Sequence, residues 1–435
     1  MAMCVRRCII WSANWCVDAA RRLRGAGWGL GAAAWLAGAG AVLGGVADRP
    51  GPVRQDLFPP EPWHNHGSCV VETPRGDFLA AWFHGSGERR ADDVRIEGAR
   101  WRRRSGAWSP RFVLADTPGY PDTNPALFLR GGELWLVYPT ILANLWESAL
   151  LKVHRTRVFE RPGAPRWERA EVLHVTPGAE FERAVREALP SLEAAARAAG
   201  WPEKTRQEVA EFLQAMRDRA GDTLYRRLGW MTRAHPTVLP GGRIVMPLYH
   251  DGFSFSLMAL SDDDGGTWRC SAPLIGGGNV QPNLVRSRDG RLAAYMRDNG
   301  PPPQRLQVAW SGDRGETWSP VEDTEIPNPG SGAEVIALRD GRWLFVGNDT
   351  EQGRHRLGVW LSADEGRSWP WRRAVEEESP ESGRTFGYPS VLQARDGRVH
   401  VTYSAQSSEA GRSVSTIRHA HFGVAWLLDA ARVSP

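Results

Sequence analysis

The chain has 435 residues, with 54 Lys and Arg against 50 Asp and Glu and a net charge of +4. A balance this even, without a dense Lys/Arg run, excludes a nucleic-acid-binding stripe. Tryptophan stands out at 21 copies, and indole rings both pack between sheets and stack on sugar rings.

At the N-terminus, Gly27 to Ala47 is an uncharged run preceded by Arg21, Arg22 and Arg24. At about twenty residues it is long enough to span a bilayer. Residues 1–47 are therefore expected to be a membrane anchor or a cleaved signal peptide, with Gly45 and Ala47 at a cleavage spacing. A buried Ala/Gly helix is the bland alternative. The length favours the anchor, and the preceding arginines place the rest of the chain outside the cytoplasm. Membrane contact is expected through this segment only. Cys4, Cys8 and Cys16 precede it, so Cys69 and Cys270 alone belong to the exported body and no disulfide framework is expected. No Cys/His pair has zinc-finger spacing, and neither a metal nor a cofactor is implied.

Six segments then repeat one pattern: an apolar run, a Gly turn and a second apolar run. "SCVVETPRGDFLAAWF" turns at Gly76, "NPALFLRGGELWLVYP" at Gly132 and "HPTVLPGGRIVMPLYH" at Gly242. "QPNLVRSRDGRLAAYMR" turns at Gly290, "AEVIALRDGRWLFVGN" at Gly341 and "YPSVLQARDGRVHVTY" at Gly397. Each predicts a β-hairpin. Three S-x-D-x-G-x-[ST]-W boxes, at 261–268, 311–318 and 362–369, recur 50 and 51 residues apart. Such a period marks an array of like units. Hairpin, strand, box and strand make four strands per unit, so the expected fold is all-β: a six-bladed β-propeller over residues 55–430. Gly265, Gly315 and Gly366 suit the tight turn of each box, whose Ser and Asp can bond the turn's backbone. The boxes therefore predict structural staples.

Gly132 and Gly242 lie 110 residues apart, about twice the usual period. The surplus, residues 178–229, predicts an inserted helical hairpin. Val209, Phe212, Leu213 and Met216 share one face, with Pro202 at a start and Gly221 at a stop. A lid, a partner surface and a packed decoration are all open readings.

Strand direction sorts the candidate site residues. Gly turns and boxes share one face of the disc, so the starts of first strands and ends of second strands share the other. The starts are His66, Asn124, His235, Gln281, Glu334 and Tyr388; the ends are His84, Tyr249, His250, Arg297, Asn348 and Tyr403. The loop after the first hairpin adds Arg89, Arg90, Asp92 and Asp93. A polar, aromatic, titratable ring about one axis is what a site for a polar ligand needs.

The boxes and hairpins resemble the sialidase superfamily and its BNR-repeat, sialidase-like branch. So do "GYPSVLQARDGRVHVTYS", "STIRHAHF" and "ADDVRI". The resemblance covers about residues 60–425 without the helical insert. It implies an arginine triad on a substrate carboxylate, a Tyr nucleophile with a Glu base, and an Asp acid/base. Tyr388 then matches the nucleophile, Arg297 the second arginine, and Asp93 the loop of the acid/base. His66 stands in place of the first arginine and Gln281 in place of the glutamate. Glu334 is a candidate substitute base, and Arg354 and Arg356 are candidates for the third arginine. The implied activity is an exo-glycosidase acting on an acidic sugar, sialic acid or a related one, at the end of a glycan. Tyr388, Asp93 and Glu334 would be catalytic; Arg297, His66, Gln281, Tyr249, His250 and Asn124 would bind substrate. Two alternatives stay open. One is a polysaccharide lyase, in which His66 or His250 with a Tyr abstracts the proton beside a uronate carboxylate that Arg297 neutralises. The other is a glycan-binding propeller without catalysis.

Overall fold

A computed structural model describes residues 51–233, 235–409 and 411–429. The expected anchor or signal segment lies outside the described residues. Six antiparallel sheets form the blades of a propeller, each running outward from an inner strand. Blade 1 holds His64–Glu72, Phe78–Gly85 and Arg95–Arg102, with Ala107–Trp108 and Phe112–Ala115 sharing its outer edge. Blade 2 holds Ala126–Arg130, Glu133–Ile141, Ala149–Thr156 and Arg169–Val172. The inner strand of blade 3 is split into Trp230–Thr232 and Thr237–Val238; Ile244–His250, Phe255–Ser261 and Arg269–Cys270 follow. Blade 4 is Asn279–Arg286, Leu292–Asp298, Arg305–Ser311 and Glu322–Pro327. Blade 5 is Glu334–Ala337, Trp343–Gly347, Arg356–Ser362 and Trp371–Glu377. Blade 6 is Thr385–Gln393, Val399–Glu409 and Arg412–Phe422.

The fourth strand of blade 6 comes from the other end of the body. Val53–Asp56 pairs antiparallel with Arg412–Phe422 and closes the ring. The propeller therefore begins at Val53, two residues before the expected start. Closure is reinforced by Arg418, which bonds Asp56 at 2.7 Å and Glu376 of blade 5 at 2.9 Å.

The boxes act as expected of staples. In the second, Ser311 Oγ donates to Asp313 at 2.7 Å and accepts from Gly315 N at 2.9 Å, while Asp313 also accepts from Thr317 N. The turn needs two left-handed residues in succession, Arg314 at φ 65° and Gly315 at φ 90°. Each box also meets the hairpin turn of the preceding blade. Arg130 pairs with Asp264, Arg243 with Glu316, and Arg288 N with Glu365. These contacts place turns and boxes on one face.

Residues 179–227 form three helices: α1 (Ala179–Ala198), α2 (Glu203–Gly221) and α3 (Thr223–Arg227). Phe181, Val185 and Leu189 of α1 and Val209, Leu213 and Met216 of α2 are buried in one cluster with Trp230, Phe253 and Phe255 of blade 3. Cys69 and Cys270 are free thiols.

Candidate functional site

The site is built on a backbone irregularity repeated around the axis. The inner strands of blades 1, 4 and 6 each shift register near their start, between His66 and Cys69, Val280 and Asn283, and Gly387 and Ser390. At or beside these bulges the chain turns left-handed: Gln281 at φ 55°, Tyr388 at φ 53° and, in blade 2, Asn124 at φ 43°. Each of the three precedes a proline. A side chain larger than glycine adopts this conformation at a cost of about 1–3 kcal/mol, which is met where surrounding structure dictates it. The gain here is that three polar side chains point at one axis.

They meet. Tyr388 Oη accepts from Arg297 Nη1 at 2.9 Å and from Gln281 Nε2 at 3.4 Å. Gln281 Nε2 also reaches Tyr249 Oη at 3.4 Å, and Asn124 Nδ2 donates to the same phenol at 3.1 Å. The His66 ring lies 4.2 Å from the Tyr388 ring, centre to centre. So Tyr388, Arg297, Gln281, Tyr249, Asn124 and His66 are brought together.

Two further guanidiniums face the Tyr388 ring, Arg354 and Arg233, each 5.2 Å from its centre. Arg354 is held by the Gly330 carbonyl at 2.9 Å. Arg356 is not part of the site; it pairs with Asp349 and Glu377. Arg233 was missed in the sequence. It is buried and donates to the carbonyls of Ser68 and Pro389, stitching blade 3 to blades 1 and 6. A signal for it exists: Arg233 stands nine residues before its turn glycine, Gly242, the same spacing as Gln281 and Tyr388. Gly332 has that spacing too, and a Cβ there would meet Gln281 Oε1 at 3.1 Å, Arg233 Nε at 3.2 Å and Tyr388 Cδ1 at 3.3 Å.

Burial pushes the Tyr388 phenol up, but the Arg297 and Arg354 guanidiniums and the Gln281 amide outweigh it and hold it below the ordinary tyrosine value. His66 is driven well below the ordinary histidine value, first by burial and then by His64, so its imidazole is neutral at pH 7.

Three expected residues fall elsewhere. Glu334 is not beside Tyr388. It stands seven residues before Gly341 rather than nine, about two strand residues or ~7 Å deeper along the axis. There Oε1 meets His235 Nδ1 at 2.6 Å and Oε2 accepts from Val391 N at 2.6 Å. His235 shares the seven-residue spacing, and its Nε2 meets the Val70 carbonyl at 2.8 Å. Both ring nitrogens face acceptors, so the ring is an imidazolium. Burial opposes that charge, but Cys69 and Glu334 raise it well above the ordinary histidine value. Glu334 and His235 line a cavity of about 490 Å³ on the glycine-turn side of this plug.

His250 is fully buried and faces the insert. Its Nε2 donates to the Leu228 carbonyl at 2.9 Å and its Nδ1 accepts from Phe253 N at 3.2 Å. No ring nitrogen is left for substrate. Asp93 is exposed and accepts from Ser86 N at 3.1 Å and Ser86 Oγ at 2.9 Å, within its own loop.

Two other carboxylates are near the pocket, and neither was picked out from the sequence. Glu88 lies 3.3 Å from His64 Nε2. Burial pushes its carboxyl up, but His64, His66 and Arg89 outweigh this and lower it to about 2. Asp251 follows the blade 3 strand that carries Tyr249, and burial raises it to about 6 against the pull of Arg297. Loop residues have no strand register, so spacing could not find either one.

The architecture defines a class: a six-bladed propeller with structural boxes on one face and an arginine-ringed tyrosine on the other. The chain belongs to the BNR repeat-like domain family, which it matches over residues 76–219 and 227–401. Its fold is that of the sialidase-like superfamily. It is similar to a protein of unknown function from Dyadobacter fermentans (TM-score 0.58, 16% identity, 85% of this chain and 99% of that one). It is also similar to the Hadza microbial sialidase Hz136 (TM-score 0.59, 15% identity, 83% of this chain and 66% of that one). A third likeness is to the NanB sialidase of Streptococcus pneumoniae (TM-score 0.59, 11% identity, 84% of this chain and 69% of that one). At such identities the likeness is one of fold. No curated protein matches the sequence significantly.

Proposed function

We propose that this pocket binds the carboxylate of an acidic sugar, sialic acid or a related one, at the end of a glycan and cleaves its glycosidic bond, with Tyr388 as nucleophile. The observation that carries this reading is the Tyr388 hydroxyl, which accepts from Arg297 and Gln281 beneath two more guanidiniums. Three cations suit a carboxylate, and a phenol is a nucleophile that such an anion does not repel. Gln281 cannot remove the phenolic proton as a glutamate would. The cationic surroundings favour the phenolate instead, and the neutral His66 ring lies against the Tyr388 ring. Gln281 Oε1 and Arg297 Nε, both buried and without partners among the described residues, are groups a polar ligand would satisfy. The N-terminal segment would hold the propeller outside the cytoplasm, or be removed on export, giving access to surface or free glycans.

The same His66–Tyr388 contact favours one second reading, β-elimination from a uronate with His66 as base; His250 has no part in it. The test is turnover by the full chain of sialosides, other acidic sugars and uronate-containing glycans, beside Tyr388→Phe. Release of a free acidic sugar, lost in the variant, is expected. An ultraviolet-absorbing unsaturated product would transfer the reading to a lyase, and binding without turnover would make the propeller a glycan-binding module.

A further inference from the structure

We propose that Asp251, not the blade 1 loop aspartate, is the acid/base that protonates the leaving group. This rests on the glycosidase reading above. Asp251 follows the strand Ile244–His250, in which side chains alternate between two sides. His250 faces the insert and Tyr249 faces the axis, and Asp251 is the turn residue that directly follows them at this rim. Its carboxylate makes no hydrogen bond among the described residues. A half-buried carboxyl at a polar pocket without a partner is placed for a ligand rather than for the fold.

The groups around it come from every wall of the pocket. Arg297 of blade 4 is the arginine that bonds Tyr388; Glu147 comes from a blade 2 loop, and Glu88 and Arg89 from the blade 1 loop. Tyr249 is on its own strand, and Arg219 of α2 bonds the adjacent Gly252 carbonyl. Burial and the two glutamates favour the acid form, the two arginines oppose it, and the balance sits at about 6. Glu88, at about 2, stays ionised. Two carboxyls whose surroundings drive them apart define a proton donor and a fixed anion. Asp93 has neither the burial nor the neighbours, being exposed and bound by Ser86.

The step balances as follows. Deprotonated Tyr388 bonds the anomeric carbon while the glycosidic C–O bond breaks, and the Asp251 proton passes to the departing oxygen. Water then attacks the anomeric carbon and gives its proton to the Asp251 carboxylate. The electrons of the tyrosyl C–O bond return to Tyr388, and the net reaction is hydrolysis.

The experiment compares wild type and Asp251→Asn on the active acidic sugar carried either on nitrophenol or on lactose. Nitrophenol leaves without protonation, so the variant is expected to lose less than about tenfold on the aryl glycoside and on the order of 10²–10⁴-fold on the lactoside. Added azide is expected to restore turnover in Asp251→Ala, and the alkaline limb of kcat/KM near 6 should disappear in both variants. Equal losses on both leaving groups, with no azide rescue, overturn the assignment while leaving the glycosidase reading standing. The same leaving-group contrast in Asp93→Asn instead returns the role to Asp93. A wild type that cleaves neither substrate overturns the glycosidase reading and this assignment with it.

Discussion

Tyr388 is held in place from three directions: a left-handed backbone at φ 53°, the Arg297 and Gln281 donors on its hydroxyl, and two guanidiniums on its ring. Two of these neighbours are anchored in turn. Arg233 is tied to two carbonyls and Arg354 to a third. A methyl at Gly332 would press on Gln281, Arg233 and Tyr388 together at 3.1–3.3 Å. Gly332→Ala is therefore expected to lower kcat/KM by on the order of 10²-fold through misplacement alone, with the thermal midpoint changed by no more than a few degrees. Steady-state kinetics beside a melting curve checks this; unchanged kinetics would mean that the pocket tolerates the shift. At this scale the sequence was partly legible. Strand direction found Gln281 and Tyr388, and their shared nine-residue spacing from the turn glycine would have found Arg233. Glu334 and His235 looked alike from their strand positions, but two residues of register moved them into the axial plug.

Among the elements, repeats were the most readable part, because a turn glycine and a box recur with fixed chemistry. Asp313→Ala removes the bonds to Ser311 and Thr317 and is expected to destabilise the protein by about 1–2 kcal/mol, with kcat/KM unchanged because the box lies on the far face. The closing strand Val53–Asp56 was not legible. "VRQD" has no apolar alternation, and its partner strand stands at the other end of the chain. The helical insert could be read from its periodicity, but its attachment could not. His250 makes that attachment by bonding Leu228 at the exit of α3 and packing edge-on against Trp230 and tilted against Phe253. His250→Ala leaves a cavity and an unpaired carbonyl, for an expected cost of about 2–4 kcal/mol. Hydrogen exchange over residues 179–229 should report it first; uniform acceleration across all blades would contradict a local tether.

For the molecule as a whole, two buried histidine groups set opposite pH limits on stability. His400, His419 and His421 stack with ring centres 5.2–5.6 Å apart at the seam between blades 6 and 1, beside Phe78 and Trp101. Burial lowers all three, His400 to about 3. The unfolded chain takes up these protons from about 6.5, so stability is full above that pH and falls as pH drops toward 3. The seam's loss is expected to be on the order of 2 kcal/mol, and His400→Phe should flatten the acid limb. His235 runs the other way. Its folded value is raised, so its pairing with Glu334 contributes fully below about 6.5 and is lost as pH rises through the raised value. His235→Gln should therefore cost stability at neutral pH and remove part of the alkaline loss in denaturant titrations. Because blades 1, 3, 5 and 6 meet at this plug, the change should appear in one cooperative transition rather than in a single blade.

The most direct measurement is covalent capture. A fluorinated acidic sugar with a good leaving group slows release of a glycosyl-enzyme, and peptide mapping by mass spectrometry then locates the sugar. The expected result is one sugar per chain, attached to Tyr388 and absent from Tyr388→Phe. Labelling of any other residue, or turnover of the natural linkage that survives Tyr388→Phe, would contradict an arginine-ringed tyrosine as the reacting group.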